Sequence, residues 1–360
     1  MARRRARFGK RSKRAILWAA ATFVLGHVVA GLLLDYVFPT VRFPMAAQVA
    51  DQVARESVRP NVVFLGSSRT GAAVDVEVAN KVLGAESPTA VRVAEAPVLA
   101  GDSLSAEVVF QQLLARDVRP QWLVVEVSPE TLNTTLPFMR ENAARVLKWN
   151  DLSEHSSAIV KSRAGWIYLE SRLVPIYTHR RELVRTGKRG LGYKLSQPPA
   201  NPAPKPASGA PPAPGRPVEA GEPAAPQLAP MSNEEALLKA SQFGASTEVR
   251  RWLRNYTIGG MAPAALERLL SRCRDEQVKV VLLGIPACTA HRQEFTPAIE
   301  QEYLSYIERL VREFGCRFVD ARDWVPDALY EDALHLRGVD GAGYFTRRFT
   351  RDVLLNLPRD

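Results

Sequence analysis

Two short segments of this 360-residue chain carry side chains whose types and spacing suit covalent acyl chemistry. The first is Gly66-Ser67-Ser68-Arg69-Thr70, directly after the apolar run Asn61–Leu65. A glycine followed by small hydroxyl residues at a strand-to-helix turn can hold a serine alcohol up to solvent. A helix starting there aims backbone N–H groups at developing negative charge. The second segment is Glu331-Asp332-Ala333-Leu334-His335, followed by Gly338 and Gly341. A serine alcohol is a poor nucleophile until an imidazole takes its proton, and the imidazole needs a carboxylate to fix its tautomer. Asp332 and His335 offer both from one loop. Either segment alone reads equally well as a helix cap; as a pair they outline a Ser68, His335, Asp332 triad.

For that triad to exist, the elements between must bring both segments to one rim. Strands are expected at Asn61–Leu65, Ala90–Ala94, Trp122–Val127, Val278–Ile285 and Arg317–Val319. They are short, Val-rich and apolar on both sides, as parallel strands covered on both faces should be. Helices fall between them. Ala262–Glu276 spaces Leu266, Leu269, Leu270 and Cys273 on one face. Another opens at Thr296-Pro297 and closes at Gly315, and a last one spans Asp340–Leu355. Alternating strands and helices predict an α/β fold: a three-layer α/β/α architecture around a doubly wound parallel five-stranded sheet. Ligands of such sheets gather at the carboxyl ends of the strands.

With Gly66-Ser67-Ser68 closing the first strand and Asp332-Ala333-Leu334-His335 before the last helix, the chain resembles the SGNH (GDSL-like) hydrolase superfamily over roughly residues 60–130 and 262–357. The resemblance implies Ser68 as nucleophile, His335 as general base and Asp332 as its orienting partner. Ser67 stands where the family usually has Asp. Gly101-Asp102-Ser103-Leu104 spells the family's common name, but its position matches the second block. By that match Gly101 joins the Ser68 N–H in the oxyanion hole, Asp102 caps a helix and Ser103 is structural. The family's third block carries Gly-x-Asn, which is absent here: Glu126-Val127-Ser128-Pro129 stands in its place. Asn133 is one candidate substitute and Arg69, as a substrate-binding cation, another. A missing oxyanion donor typically costs about 100- to 1,000-fold in turnover.

Composition limits the setting. Of the +10 formal charge, residues 1–14 hold eight Lys and Arg and no acid, so the rest sums to +2. A basic tail is not a basic domain, and nucleic acid is not an expected partner. Residues 15–34 follow without a charge, long enough as a helix to span roughly 30 Å of hydrocarbon. The positive-inside rule places the tail in the cytoplasm and the remainder outside, in the periplasm or at the cell surface. A cleaved signal peptide is the competing reading; the apolar run is longer than a typical h-region, which favours an uncleaved anchor. The expected organisation is a tail (1–14), a signal-anchor helix (15–37), a juxtamembrane segment (38–59) and an extracytoplasmic domain (60–360). That domain is interrupted by an insertion (134–260). Within it, residues 197–230 hold 12 of the 26 prolines and read as a disordered Pro/Ala-rich linker.

Cys273, Cys288 and Cys316 fit no zinc spacing, and an exterior location permits one disulfide among them. His155, His179 and His291 lie among polar neighbours and are expected on the surface, and no metal or cofactor is expected. The Arg-rich run Thr178–Arg189 reads as a solvated face or as a contact for anionic polymer or lipid headgroups. The anchored branch of the superfamily O-acylates or deacylates cell-wall polymers and exopolysaccharides, often beside a multispanning membrane acyltransferase. By resemblance, then, the expected function is a serine acyltransferase or esterase on an acylated envelope polymer, with activity falling below about pH 6 as an imidazole base protonates. The alternative is a non-catalytic assembly or carbohydrate-binding protein on the same fold, which the missing Gly-x-Asn favours.

Overall fold

The computed structural model describes residues 2–87, 91–134, 142–143, 145–148, 164–190 and 245–358. The chain opens with helix α1 (Ala2–Leu32), which runs into a π-helical turn, Leu33–Val37. Within it Ser12–Val37, 26 residues of mean hydropathy 2.0, is long and apolar enough to cross a membrane. Two short helices, α2 (Pro39–Arg42) and α3 (Pro44–Ala54), each begin on a proline, whose missing N–H costs nothing at a first turn.

The sheet follows. Strand β1 (Val62–Gly66) leads into α4 (Ser68–Ala73) and α5 (Val76–Glu86). Next come β2 (Val93–Pro97), α6 (Ser103–Leu114), β3 (Trp122–Val127) and α7 (Pro129–Leu132). The insertion contributes α8 (Ala164–Leu173), α9 (Pro175–Thr178), α10 (Arg180–Gly190) and α11 (Ala245–Trp252). The fold closes with α12 (Met261–Asp275), β4 (Lys279–Gly284), α13 (Thr289–Arg292), α14 (Pro297–Phe314), β5 (Arg317–Asp320) and α15 (Gly338–Asp352).

All five strands are parallel, in the order β2-β1-β3-β4-β5. Chain direction across the sheet reverses between β1 and β3, which is where such sheets open a crevice at their carboxyl ends. Both faces are covered. Val63, Leu65, Leu123, Val125 and Leu282 pack under α3, α6, α12 and α14. Val62, Phe64, Val124, Val281 and Leu283 pack under α5 and α15, where Phe345 and Phe349 are fully buried. Local signals set the helix ends. Asp75, Asp102 and Thr296 each cap the N–H three residues on, and Gly315 closes α14 at φ +67°.

The three-layer fold agrees with expectation, with one shift of register. The second strand lies at Val93–Pro97, later than Ala90–Ala94; Ala90 is outside the described residues. Asn80 fixes its start by exchanging two hydrogen bonds with Val93. As an edge strand, β2 tolerates both Glu95 and Pro97, which an apolar-run reading discards. The proline-rich stretch 197–230 lies outside the described residues. The three cysteines are buried and unpaired, so the permitted disulfide does not form.

Candidate active site

The turn after β1 is built around a glycine. A Cβ on Gly66 would sit 2.5 Å from the Glu126 carboxylate and 2.0 Å from the Thr70 hydroxyl, both inside contact distance. In the register of β1 on β3, Glu126 follows the partner of Leu65, so its side chain occupies the space Gly66 leaves. There it accepts the Ser67 N–H at 2.7 Å, the Ser67 hydroxyl at 2.9 Å and the Thr70 hydroxyl at 2.6 Å. Ser67 in turn caps α4 by accepting the Arg69 N–H. One buried carboxylate thus fixes the backbone on both sides of Ser68, whose half-buried side chain leads α4.

The loop that carries the imidazole is closed on itself. Tyr330 and Leu336 form an antiparallel bridge, the Glu331 N–H donates to His335 O, and the Arg337 N–H donates to Leu329 O. Asp332 Oδ1 accepts the N–H groups of Leu334 and His335 at 2.7 and 2.8 Å, and Oδ2 lies 2.9 Å from His335 Nδ1. Burial pushes the Asp332 carboxyl upward, but the hydrogen bonds from the His335 ring and these two N–H groups prevail and hold it at about 2. An ionised carboxylate at Nδ1 places the ring proton there and leaves Nε2 to accept. Nε2 lies 2.9 Å from Ser68 Oγ.

What brings these distant segments together is α15. Buried Thr346 donates its hydroxyl to Ala73 O at the end of α4 and accepts the Asp75 N–H. The helix that follows His335 is therefore stitched to the helix that starts at Ser68. The three groups line up as alcohol, ring and acid, with His335 and Asp332 side chains 29% and 38% exposed, open enough for a substrate to reach. Such a chain can deprotonate an alcohol and attack an ester.

No family model matches the chain, and no curated protein matches it. Among solved structures it is similar to a Streptococcus pneumonia protein provisionally described as a platelet activating factor. That likeness has 10% identity and a TM-score of 0.36, covering 90% of this chain and 98% of that one. It carries no weight for function. The sheet order and the Ser68–His335 pair are by themselves consistent with an SGNH-type hydrolase fold.

The other expected site residues each have partners of their own. The Gly101 N–H donates to Val98 O at 2.8 Å, in a turn that forces Ala100 to φ 53°, so it is not aimed at an oxyanion. Gly101 is instead needed for close packing, since a Cβ there would meet Val98 O at 2.7 Å. Asn133 is fully buried: its amide donates to Trp252 O and accepts the Thr257 N–H, tying α7 to the end of the insertion. Arg69 is buried and paired with Glu130, with a second bond to Pro286 O, so its charge is satisfied inside the protein. The Ser68 N–H lies in the first turn of α4.

Two histidines also depart from expectation. His291 is fully buried beside Glu130, 3.5 Å from its carboxylate. Burial raises the Glu130 carboxyl, yet His291 and Arg69 hold it well below the usual range. His179 is buried under Arg42 and Arg172; burial and those cations push it down to about 4, so the ring is neutral. The polar residues around both histidines in sequence concealed this. His155 lies outside the described residues. Glu126 was not anticipated, although a lone carboxylate in the apolar strand Trp-Leu-Val-Val-Glu-Val was a usable signal.

A cavity of about 330 Å³ opens at the other end of the sheet, lined by Trp122, Lys279 and Arg317 where β3, β4 and β5 begin. It is remote from the reactive rim by strand direction.

Proposed function

We propose that the chain is a membrane-anchored, extracytoplasmic serine esterase or O-acyltransferase that acts on O-acyl groups of an envelope polysaccharide or cell-wall polymer. The observation that carries this reading is the 2.9 Å contact of Ser68 Oγ with His335 Nε2, backed by Asp332. His335 takes the hydroxyl proton as Ser68 attacks the acyl carbonyl, and the leaving alcohol recovers that proton as the acyl-serine forms. A sugar hydroxyl or water, deprotonated by the same ring, then releases the acyl group and the Ser68 alcohol. Asp332 keeps the ring oriented through both steps. The Ser68 N–H is the oxyanion donor in this reading. The eight cations before the apolar helix support a cytoplasmic N-terminus in this reading. A multispanning membrane acyltransferase is the partner that would deliver acyl groups.

Labelling of the full chain with a serine-reactive fluorophosphonate tests the chemistry. Wild type should label and Ser68→Ala should not; an unlabelled wild type, or equal labelling of both, rejects it. One observation favours a second reading, a polymer-binding or assembly protein on this fold: Gly101, Asn133 and Arg69 are all engaged elsewhere. Full rescue of a deletion phenotype by the Ser68→Ala chain would select that reading.

A further inference from the structure

Helix α8 is inverted relative to a helix that faces water. It packs beside the end of α1 and buries Tyr168, Ser171 and Arg172, while Trp166, Leu169 and Leu173 point outward, Trp166 with 71% of its surface exposed. Those three recur at i, i+3 and i+7 on one face, where exposed Glu170 also stands. Ile176 and Tyr177 on α9 extend it, and Tyr36, Val37 and Phe38 at the exit of α1 are exposed as well. The buried Arg172 pairs with Asp35, which also pairs with Arg42, so the inversion is a built feature of the packing. Beside the stripe, α10 exposes Arg180, Arg181, Arg185 and Lys188, and the Arg180 guanidinium stacks 4.1 Å over Tyr177. An aromatic and aliphatic stripe bordered by cations, continuous with the end of an apolar span, has the chemistry of a segment lying in a bilayer interface.

We infer that α8, α9 and α10 form a second, monotopic membrane contact. The stripe from Trp166 to Tyr177 enters the headgroup–acyl boundary of the leaflet that α1 exits, and the α10 cations meet anionic headgroups. This rests on α1 crossing the bilayer, though not on the chemistry at Ser68. Two contacts instead of one restrict how the domain can tilt, and so the direction in which the Ser68 rim faces the membrane.

The test uses the full chain in vesicles of phosphatidylcholine and phosphatidylglycerol, with nitroxide labels on single introduced cysteines. Leu173→Cys and Trp166→Cys report on the stripe, Phe23→Cys on the span and exposed Val339→Cys on the aqueous side. Labels at 173 and 166 should collide with dissolved oxygen more than with a water-soluble nickel complex, and the label at 339 should show the reverse. Nickel-accessible labels at 173 and 166, with the label at 23 in lipid, overturn this inference alone. A water-exposed label at 23 overturns the anchor and this inference together. Mutual broadening between labels on separate chains would assign the stripe to a second copy and also overturn it. Replacing Arg181, Arg185 and Lys188 by Glu should make the label at 173 shallower; an unchanged depth overturns the headgroup contact.

Discussion

Two clusters among the described residues, each assembled from side chains more than a hundred positions apart, are built in opposite ways. Ser68 and His335, 267 residues apart, meet in a half-open site through one hydrogen bond, with one carboxylate behind them. Asp35 and Arg172, 137 apart, meet with Arg42 in a site from which solvent is excluded, two cations sharing one carboxylate. A reacting group must be reachable and must change its protonation, so its cluster stays partly wet and leaves a lone pair free. A fastening cluster has no such need. Burying charge is costly unless it is compensated, and removing one partner of a buried pair costs more than the pair contributes. The contrast distinguishes a site that reacts from one that holds.

The sharpest break of this contrast is Ser68→Ala, which should abolish fluorophosphonate labelling while leaving the melting temperature nearly unchanged. Asp332→Asn should slow labelling by up to about 10⁴-fold, since the ring loses its tautomer and orientation. In the closed cluster, Asp35→Asn leaves two buried arginines without their anion. It should cost about 3–5 kcal/mol of stability, read from thermal melts, with labelling per folded molecule preserved. Glu126→Gln belongs between the two regions. It leaves one or two of the Ser67 and Thr70 donors unpaired, at about 1–3 kcal/mol, and should slow labelling because the turn under Ser68 loosens. Equal labelling rates for Glu126→Gln and wild type would remove that positioning role.

Acid should separate the clusters most finely. An unfolded histidine takes a proton near pH 6.5, whereas folded His179, beneath Arg42, Arg172 and Arg145 and near Asp35, resists until about 4. The unfolded state therefore binds more protons in that window, and stability falls as the pH drops from about 6.5 to 4. Hydrogen exchange in α8 and α9 should rise over that range, and His179→Gln should flatten the rise. Asp332 behaves differently. Its carboxyl is depressed to about 2, so its contribution is complete above the unfolded value near 3.9 and disappears only as the pH falls through 2.

Much of the fold was legible because it depends on residue type. Val-rich runs mark β1, β3 and β4, Thr296 and Gly315 bracket α14, and the Gly66 and Asp332 blocks locate the pair that meets at Ser68. The oxyanion assignments were not legible, because they depend on where a backbone N–H points. Gly101 donates to Val98 because Ala100 adopts a left-handed conformation, which nothing in Leu-Ala-Gly announces. The partners of Arg69 and Asn133, Glu130 and the 252–257 segment, are equally illegible, because tertiary packing fixes them. The histidines make the same point: local polarity suggests a wet surface, whereas tertiary packing buries His179 by Arg42 and Arg172 and His291 by Glu130.

The unpaired thiols have a practical consequence. Burial pushes Cys273 up to about 12 and Cys316 up to about 11, and it also raises Cys288, so all three stay protonated and shielded at neutral pH. The folded chain does not depend on an oxidising compartment for its covalent integrity and should mature equally well in a reducing host. A maleimide dye added during heating would stay dark until the sheet opens, giving the protein a built-in reporter of its own melting.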